Sequence, residues 1–454
     1  MKKMKLSLRN VGMIDKADIE IGGLTVIAGK NNCGKSTIGK VLFSLITAIN
    51  RYKSVLGETK NTPLSNALEN IYRSMFEIYF LIKRNRLPYY EFMKFRPRIF
   101  LDDIEKFGLQ SAKEDRLAVL SNLFGNRLID NSQYKKLTKT LEKLSEVVSQ
   151  EDKVEDILTR SFNKLFYSEF SGDIENKSCN NNFKISLSLG GRATIKISKK
   201  DNLYVNIDEK ITNMEDLEAL VPYKDSLIIE SPFILNAHNS ISVSRAIFEK
   251  RDMSTRDIRS ISAIIQFHIL DLIRKIKDSV YDKANADELG IPKIIGGNVE
   301  YDGKKDEFVY KTDEQIYKVI NVASGIKSFG ILQMLLNTQY LNEHSLLILD
   351  EPEVHLHPEW QVKYAEILIK MIKEYNIPIL VTTHSPYMLQ ALELYAKQDG
   401  KIKYSVYHAH RDKNNLCVFD DSSNDLSPIY EDLLQSIDEL EFIQYQLSRK
   451  SNEK

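Results

Sequence analysis

The sequence predicts an α/β protein with a mainly parallel central sheet and an inserted helical subdomain. Three observations carry this expectation. A short apolar run, Leu24–Ala28, passes through a glycine-bearing loop into a helix over Ser36–Ile49. The last third of the chain alternates apolar strands with helical segments. Between them, about residues 50–176 keep a mostly helical periodicity over a length that does not fit a loop, broken at Pro63, Pro88 and Pro97.

Each element follows from its local pattern. Lys5–Val11 and Ala17–Ile21 alternate apolar and polar residues, as half-buried strands do, whereas Leu24–Ala28 has the apolar run of a fully buried one. After the helical stretch, Phe183–Leu189, Ala193–Ser198 and Leu203–Ile207 alternate again, with Gly190-Gly191 as a turn, and Ser226–Glu230 adds an apolar strand. Ser240–Tyr281 reads as helical, Lys293–Ile320 as strand-like and Gly325–Leu341 as a helix. Next come a strand at Leu346–Leu349, a helix at Glu359–Tyr375, a strand at Ile377–Thr382 and a helix at Tyr387–Tyr395. Strands at Ile402–His408 and Leu416–Phe419 and a helix through Tyr430–Leu447 close the chain. The expected division is residues 1–50 and 321–454 as two halves of one head, 51–180 as the insertion, and 181–320 as the strand-rich and helical remainder of the head.

Bulk properties narrow the classes. A chain of 454 residues exceeds what one hydrophobic core usually needs, and 43% hydrophobic with 28% charged residues is a globular composition. With 63 basic and 63 acidic residues the net charge is zero, which argues against a wholesale non-specific DNA binder and confines any nucleic-acid contact to a local patch. Phe80–Phe100 is the candidate patch, mixing Lys83, Arg84, Arg86, Lys94, Arg96 and Arg98 with Tyr89, Tyr90, Phe92 and Phe95; the competing reading is a solvated helical face with its aromatics in a core. Cys33, Cys179 and Cys417 are far apart and form no CxxC pair, so neither a disulfide framework nor a zinc site is expected. No run approaches the roughly 20 apolar residues of a membrane span. The start lacks a signal-peptide apolar region, and a cytoplasmic protein without membrane contact is expected.

The chemistry lies at strand ends. Gly29-Lys30-Asn31-Asn32-Cys33-Gly34-Lys35-Ser36 fits G-x-x-x-x-G-K-[ST], with a strand before and a helix after. Gly29 and Gly34 allow the backbone angles that turn successive N–H groups, through Asn31, Asn32 and Cys33, toward phosphate oxygens. The positive end of the following helix adds attraction for the anion. Lys35 is placed to pair with β- and γ-phosphates of ATP, Ser36 to ligate Mg²⁺, and Thr37 to contact the α-phosphate. Ser345–Pro352 is a buried strand ending in Asp350 and Glu351; Asp350 suits Mg²⁺, and Glu351 suits orienting or deprotonating a water. A third strand ends in Thr383-His384-Ser385-Pro386, where an imidazole reaches a γ-phosphate. Ser324 and Gly325 open a helix and offer a hydroxyl and bare N–H groups, although a Ser-Gly pair alone reads as simple capping. His355-x-His357 lacks an evident third ligand and is read as part of a loop.

This order of motifs resembles the ATP-binding-cassette class of ATPases. Asp350-Glu351-Pro352-Glu353-Val354-His355-Leu356-His357-Pro358 with Thr383-His384-Ser385-Pro386 resembles its OLD/RecF-like branch. The resemblance covers Lys5–Lys40 and Asn321–Leu392 and hardly touches the insertion. It implies an ABC-type head in which Ser324-Gly325 of one copy caps the γ-phosphate bound by another, hence a homodimer or a larger even-numbered oligomer. The segment after His384 is too short for the Toprim nuclease domain of OLD-type nucleases. Chains with this motif set resemble the stand-alone ATPase subunits of antiphage systems such as Septu, PARIS and some retrons, which implies a separate effector, a nuclease or toxin. A DNA-clamping repair ATPase and an ATP-stabilised scaffold with little turnover are the alternatives.

Overall fold

In this computed structural model, residues 4–56, 62–81, 87–145, 153–175, 183–199, 203–208, 211–238, 241, 265–280, 289–338 and 340–452 are described. Cys179, Lys83, Arg84, Arg86 and most of the Ser240–Tyr281 segment lie outside them.

Strands β1 (Met4–Val11), β2 (Ile14–Ile21), β3 (Leu24–Ala28), β4 (Lys184–Leu189), β5 (Ala193–Lys199), β6 (Leu203–Ile207) and β7 (Asp225–Ile229) belong to one large sheet. A separate antiparallel sheet holds β8 (Asn298–Asp302), β9 (Glu307–Lys311) and β10 (Ile316–Lys318). The large sheet also takes β11 (Ser345–Asp350), β12 (Ile379–Thr383), β13 (Tyr404–Arg411) and β14 (Cys417–Asp421), giving 11 strands in the order β6-β5-β4-β1-β2-β14-β13-β3-β12-β11-β7. β13, β3, β12, β11 and β7 run parallel, and β2, β1, β4, β5 and β6 antiparallel. β14 joins the two sets, pairing antiparallel with β13 and parallel with β2. This is the expected α/β head, with a parallel segment and an antiparallel wing.

Burial explains the division. β3 and β12 are buried at every residue, as strands covered on both faces must be. β4, β5 and β6 alternate buried and more exposed positions, so only one face is covered. Alternate residues of the parallel strands feed two cores. Ile27, Leu346, Ile348 and Leu380 pack with Phe43 and Ile46 of the helix Lys35–Asn50. Leu24, Val26, Leu347, Leu349 and Val381 pack with Phe329 and Leu368 of the helices Ser324–Leu336 and Pro358–Tyr375.

Residues Leu56–Lys153 form a second compact unit of helices. Its core contains Leu64, Leu68, Ile71, Phe92, Phe95, Phe100 and Leu120. Buried Arg116 donates to the Lys94 carbonyl at 2.7 Å and lies over the Phe100 ring at 4.1 Å. In the basic–aromatic stretch, Phe92 and Phe95 are therefore core residues, and Lys94 is paired with Asp115 at 2.9 Å; Tyr89 and Tyr90 are exposed.

Some local expectations shift. The strand-like stretch from Lys293 is preceded by a short helix, Ile291–Ile295, started by Pro292 and bounded by Gly290 and Gly296 at φ 76° and 72°. The helix expected to reach Leu341 ends at Leu336, where Thr338 donates its hydroxyl to the Leu335 carbonyl and competes with the helical pattern. His357 accepts from the Glu359 N–H at 3.3 Å and caps the helix Pro358–Tyr375.

Candidate active site

The parallel register sets the site. Ala28 of β3 lies opposite Thr383 of β12, Thr382 lies opposite Asp350 of β11, and Leu349 lies opposite Ile229 of β7. The loops after these strands therefore leave one edge of the sheet, which is where open α/β sheets bind ligands. Sequence positions some 320 residues apart, Gly29–Thr37 and Asp350, Glu351 and His384, meet there.

The loop after β3 admits little but its own sequence. A Cβ on Gly29, at φ 155°, would lie 2.0 Å from the Ala409 carbonyl oxygen of β13, and one on Gly34, at φ 80°, would lie 2.7 Å from Ile14. Asn32 adopts φ 64°. Its carbonyl accepts from Arg411 at 3.0 Å and from the Cys417 thiol at 3.7 Å, while Cys33 donates to the Asn31 carbonyl at 3.8 Å. These contacts turn the Asn31 and Asn32 carbonyls onto the protein. The Thr37 N–H donates to the Gly34 carbonyl at 3.2 Å as the helix begins.

Lys35 is buried, donates to the Lys30 carbonyl at 2.9 Å, and lies 3.4 Å from Glu351 Oε1. Ser36 and Thr382 hydroxyls both hydrogen-bond to the Asp350 carboxylate. Burial pushes the Asp350 pKa up, those hydrogen bonds oppose it, and the charges of Glu230 and Glu351 push it further up. Glu351 adopts φ 49°, an uncommon value for a non-glycine residue, held by its N–H donating to the Thr382 carbonyl at 3.0 Å. The hydrogen bond to His384, with the nearby charge of Lys35, keeps the Glu351 carboxyl below its usual range against the effect of burial. His384 Nδ1 lies 3.5 Å from Glu351 Oε2 and 3.3 Å from Glu353 Oε1.

Buried Glu353, for which the sequence assigned no role, accepts the Thr383 hydroxyl at 2.7 Å and the His384 N–H at 2.8 Å. In sequence it reads as a polar loop residue after Pro352, with no signal that marks it. Ser385 caps the helix Pro386–Asp399, and its hydroxyl donates to Gln361 at 2.6 Å, so His384 is fixed from both sides.

Ser324 and Gly325 are placed differently. Ala323 is the N-cap of their helix, Ser324 is its first residue, and a Cβ on Gly325 would lie 2.8 Å from Trp360. Among the described residues, no hydrogen bond or ion pair links Ser324 or Gly325 to Lys35, Asp350, Glu351 or His384.

The oxygen donors of Ser36 and Asp350 fit a hard divalent ion. Among the described residues there is no group of three or more His, Cys, Asp or Glu side chains that could hold a metal. Few protein ligands suit Mg²⁺, which keeps several waters and takes phosphate oxygens. Among the described residues, no helix is long and apolar enough to cross a membrane.

The profile of the AAA ATPase domain family matches residues 1–389. Protein ea59 of Escherichia phage lambda is 29% identical over 143 residues, covering 31% of this chain and 25% of that protein. Septu protein PtuA of Bacillus thuringiensis is 41% identical over 46 residues, 10% of this chain and 11% of PtuA. The chain thus matches a quarter or less of the length of these curated relatives. Among solved structures, the SMC head domain from Thermotoga maritima aligns at TM-score 0.38 and 10% identity, covering 93% of this chain and 99% of that one. The Smc head domain with an extended coiled coil bound to the C-terminal domain of ScpA, from Pyrococcus furiosus, aligns at 0.41 and 11%, covering 98% and 100%.

Proposed function

This chain belongs to the AAA ATPase domain family, and from that premise we propose that the cluster at the sheet edge binds ATP with Mg²⁺ and hydrolyses it to switch an assembly. The single observation that carries this is the convergence of Lys35, Glu351 and His384 within 3.5 Å contacts, beside hydrogen-bonded Ser36 and Asp350. Residues Gly29, Asn31, Asn32, Cys33, Gly34 and Thr37 present backbone and hydroxyl donors to the phosphates, and Lys35 leaves the Lys30 carbonyl for the β- and γ-phosphates. Ser36 and Asp350 hold the Mg²⁺, which supplies charge neutralisation on the phosphate oxygens. Glu351, ionised at neutral pH, orients the attacking water and accepts its proton, and His384 donates to the γ-phosphate.

Ser324 opens its helix on the same chain without a hydrogen bond or ion pair to this cluster among the described residues, which agrees with a composite site completed by a second copy, in a homodimer or larger even-numbered oligomer. The local likeness to PtuA supports a separate effector protein, a nuclease or toxin, and a role in antiphage defence. The test combines turnover with assembly. Wild-type protein is expected to hydrolyse ATP only with Mg²⁺, Lys35→Ala to lose nucleotide binding, and Ser324→Arg to block ATP-dependent dimers while leaving the monomer folded. Full activity in Glu351→Gln would refute a hydrolytic switch in favour of a scaffold. Salt-dependent duplex binding that weakens when Arg84, Arg86, Arg96 and Arg98 are neutralised would replace effector control with a DNA clamp.

A further inference from the structure

We propose that Cys33 of the phosphate loop and Cys417 of β14 are a reversible redox pair, which a peroxide joins as a disulfide and which, once joined, weakens the loop's hold on nucleotide. The inference rests on the ATPase reading above and adds to it a modification site on the same loop.

Three adjacent strands bracket one short stretch of this loop. Arg411 of β13 faces Cys417 of β14 in their antiparallel ladder, and Cys417 in turn lies opposite Ile14 of β2. All three residues reach the loop. Arg411 donates to the Asn32 carbonyl at 3.0 Å, and the Cys417 thiol donates to the same carbonyl at 3.7 Å. Ile14 lies so close to Gly34 that a Cβ there would meet it at 2.7 Å. Cys33 stands between Asn32 and Gly34, and its side chain enters the same apolar core as Cys417, Ile14 and Ala409. The two thiols are free, 3% and 1% exposed, and within hydrogen-bonding reach of each other.

In the reduced state the pair holds the loop only through weak bonds. Cys33 donates to the Asn31 carbonyl at 3.8 Å, and Cys417 to that of Asn32. Hydrogen peroxide takes two electrons from the pair. The first thiol attacks one peroxide oxygen, breaking the O–O bond and leaving a sulfenic acid and a water; the second attacks that sulfur, forms the S–S bond and releases another water with the remaining proton. Burial pushes the Cys417 thiol up, Arg411 opposes this, and neighbouring Cys33 adds to it. A thiol that keeps its proton is the poorer nucleophile, so the first step falls to Cys33.

Joining the sulfurs replaces a loose contact with a covalent tie of fixed geometry between the loop and β14. It also takes both S–H donors from the Asn31 and Asn32 carbonyls, in the stretch proposed to present backbone donors to the phosphates. Cysteine otherwise packs as a small apolar side chain, and filling alone predicts no response to oxidant.

The test treats reduced protein with hydrogen peroxide, maps disulfides by mass spectrometry of non-reduced peptides, and measures binding of a non-hydrolysable ATP analogue by calorimetry. Wild type is expected to yield a Cys33–Cys417 linked peptide and to bind the analogue about tenfold more weakly, as loss of two loop hydrogen bonds implies, with dithiothreitol reversing both. Cys417→Ser, which keeps a hydroxyl donor for Asn32, is expected to hold its affinity within about twofold after the same treatment. Absence of the linked peptide, a link from Cys33 to Cys179 instead, or a linked protein of unchanged affinity overturns the inference and leaves the ATPase reading standing. Equal loss of affinity in Cys417→Ser assigns the effect to Cys33 alone and also overturns the pair. Reduced wild type that does not bind the analogue overturns the ATPase reading and the control of nucleotide with it. If melting shows that Cys417→Ser does not fold, Cys417→Ala carries the same outcomes.

Discussion

Glu351 Oε2 lies 3.5 Å from His384 Nδ1, and each group moves the other's protonation in the direction that keeps both charged. The pair joins the ends of neighbouring strands β11 and β12, so a proton on one is felt by the residue proposed to activate water on the other.

The first expected outcome concerns pH. The carboxylate of Glu351 raises the His384 pKa above 6.5 against burial, with Glu353 adding to it. The stabilising contribution of His384 is therefore complete below 6.5 and fades as pH rises through its folded value. That of Glu351, depressed below 4.5, is complete above 4.5 and fades as pH falls. In nucleotide-free protein, NMR titration should place the His384 midpoint above 6.5, and Glu351→Gln should lower it. An unchanged midpoint would mean that the two groups do not interact in solution.

Glu351→Gln should retain ATP binding and lose turnover by roughly 10²–10⁴-fold, the range for removing a general base. ATP should then accumulate unhydrolysed on a longer-lived oligomer, read by single-turnover assay and size-exclusion chromatography. Loss of ATP binding along with turnover would contradict the assignment of Glu351 to water.

Gly29→Ala should damage the phosphate loop more than its one methyl suggests. The added Cβ meets the Ala409 carbonyl at 2.0 Å, a backbone atom of a central strand that cannot swing aside. A cost of about 1–3 kcal/mol in chemical denaturation is expected, together with loss of ATP binding. Gly191→Ala, whose Cβ has nothing within 4 Å, serves as the control for positive φ alone.

The two outcomes just described use residues that the sequence marks, and the reason is geometric. Gly29, Glu351 and His384 sit directly after short apolar strands, Asp350 ends one, and Lys35 opens the helix after the glycine-bearing loop; a strand end fixes where the next side chain emerges. What the sequence does not reveal depends on strand order. Nothing local shows that β7 borders β11, so Glu230 reads as the polar end of a strand, and its partner His268, held by Glu169, lies on a helix distant in sequence. Glu353 is hidden for the same reason: its burial comes from Thr383 and His384, thirty residues away in sequence. Helix ends also escaped the pattern, since Pro292 and Thr338 act through backbone geometry and not through hydrophobic periodicity.

Glu353→Ala should loosen His384, the residue proposed to reach the γ-phosphate, without touching nucleotide itself. It strands the Thr383 hydroxyl and the His384 N–H, and each buried unpaired donor costs about 1–3 kcal/mol. Hydrogen exchange at His384 should accelerate, and Glu353→Gln, which keeps an acceptor, should recover most of the protection. Equal exchange in both variants would assign the effect to charge.

Stability at the buried His268 imidazole, whose Nδ1 lies 2.6 Å from Glu169 Oε2, gives a separate pH signature. Because the His268 pKa is raised to about 9, its contribution is complete below 6.5 and is lost as pH rises through about 9. The gap in melting temperature between wild type and His268→Gln should therefore narrow steadily from pH 7 to pH 10. A gap that stays constant over that span would show that the imidazole is neutral in the folded protein.

The placement of β3 between β12 and β13 has a consequence for biosynthesis. The strand that launches the phosphate loop is made early, yet both of its hydrogen-bonded neighbours come from residues 379–411. Its pairing therefore has high contact order, and a nascent chain carries Leu24–Ala28 unpaired until that late segment has left the ribosome. A chain that ends before residue 379 has neither neighbour of this apolar strand, which is left for chaperones to cover.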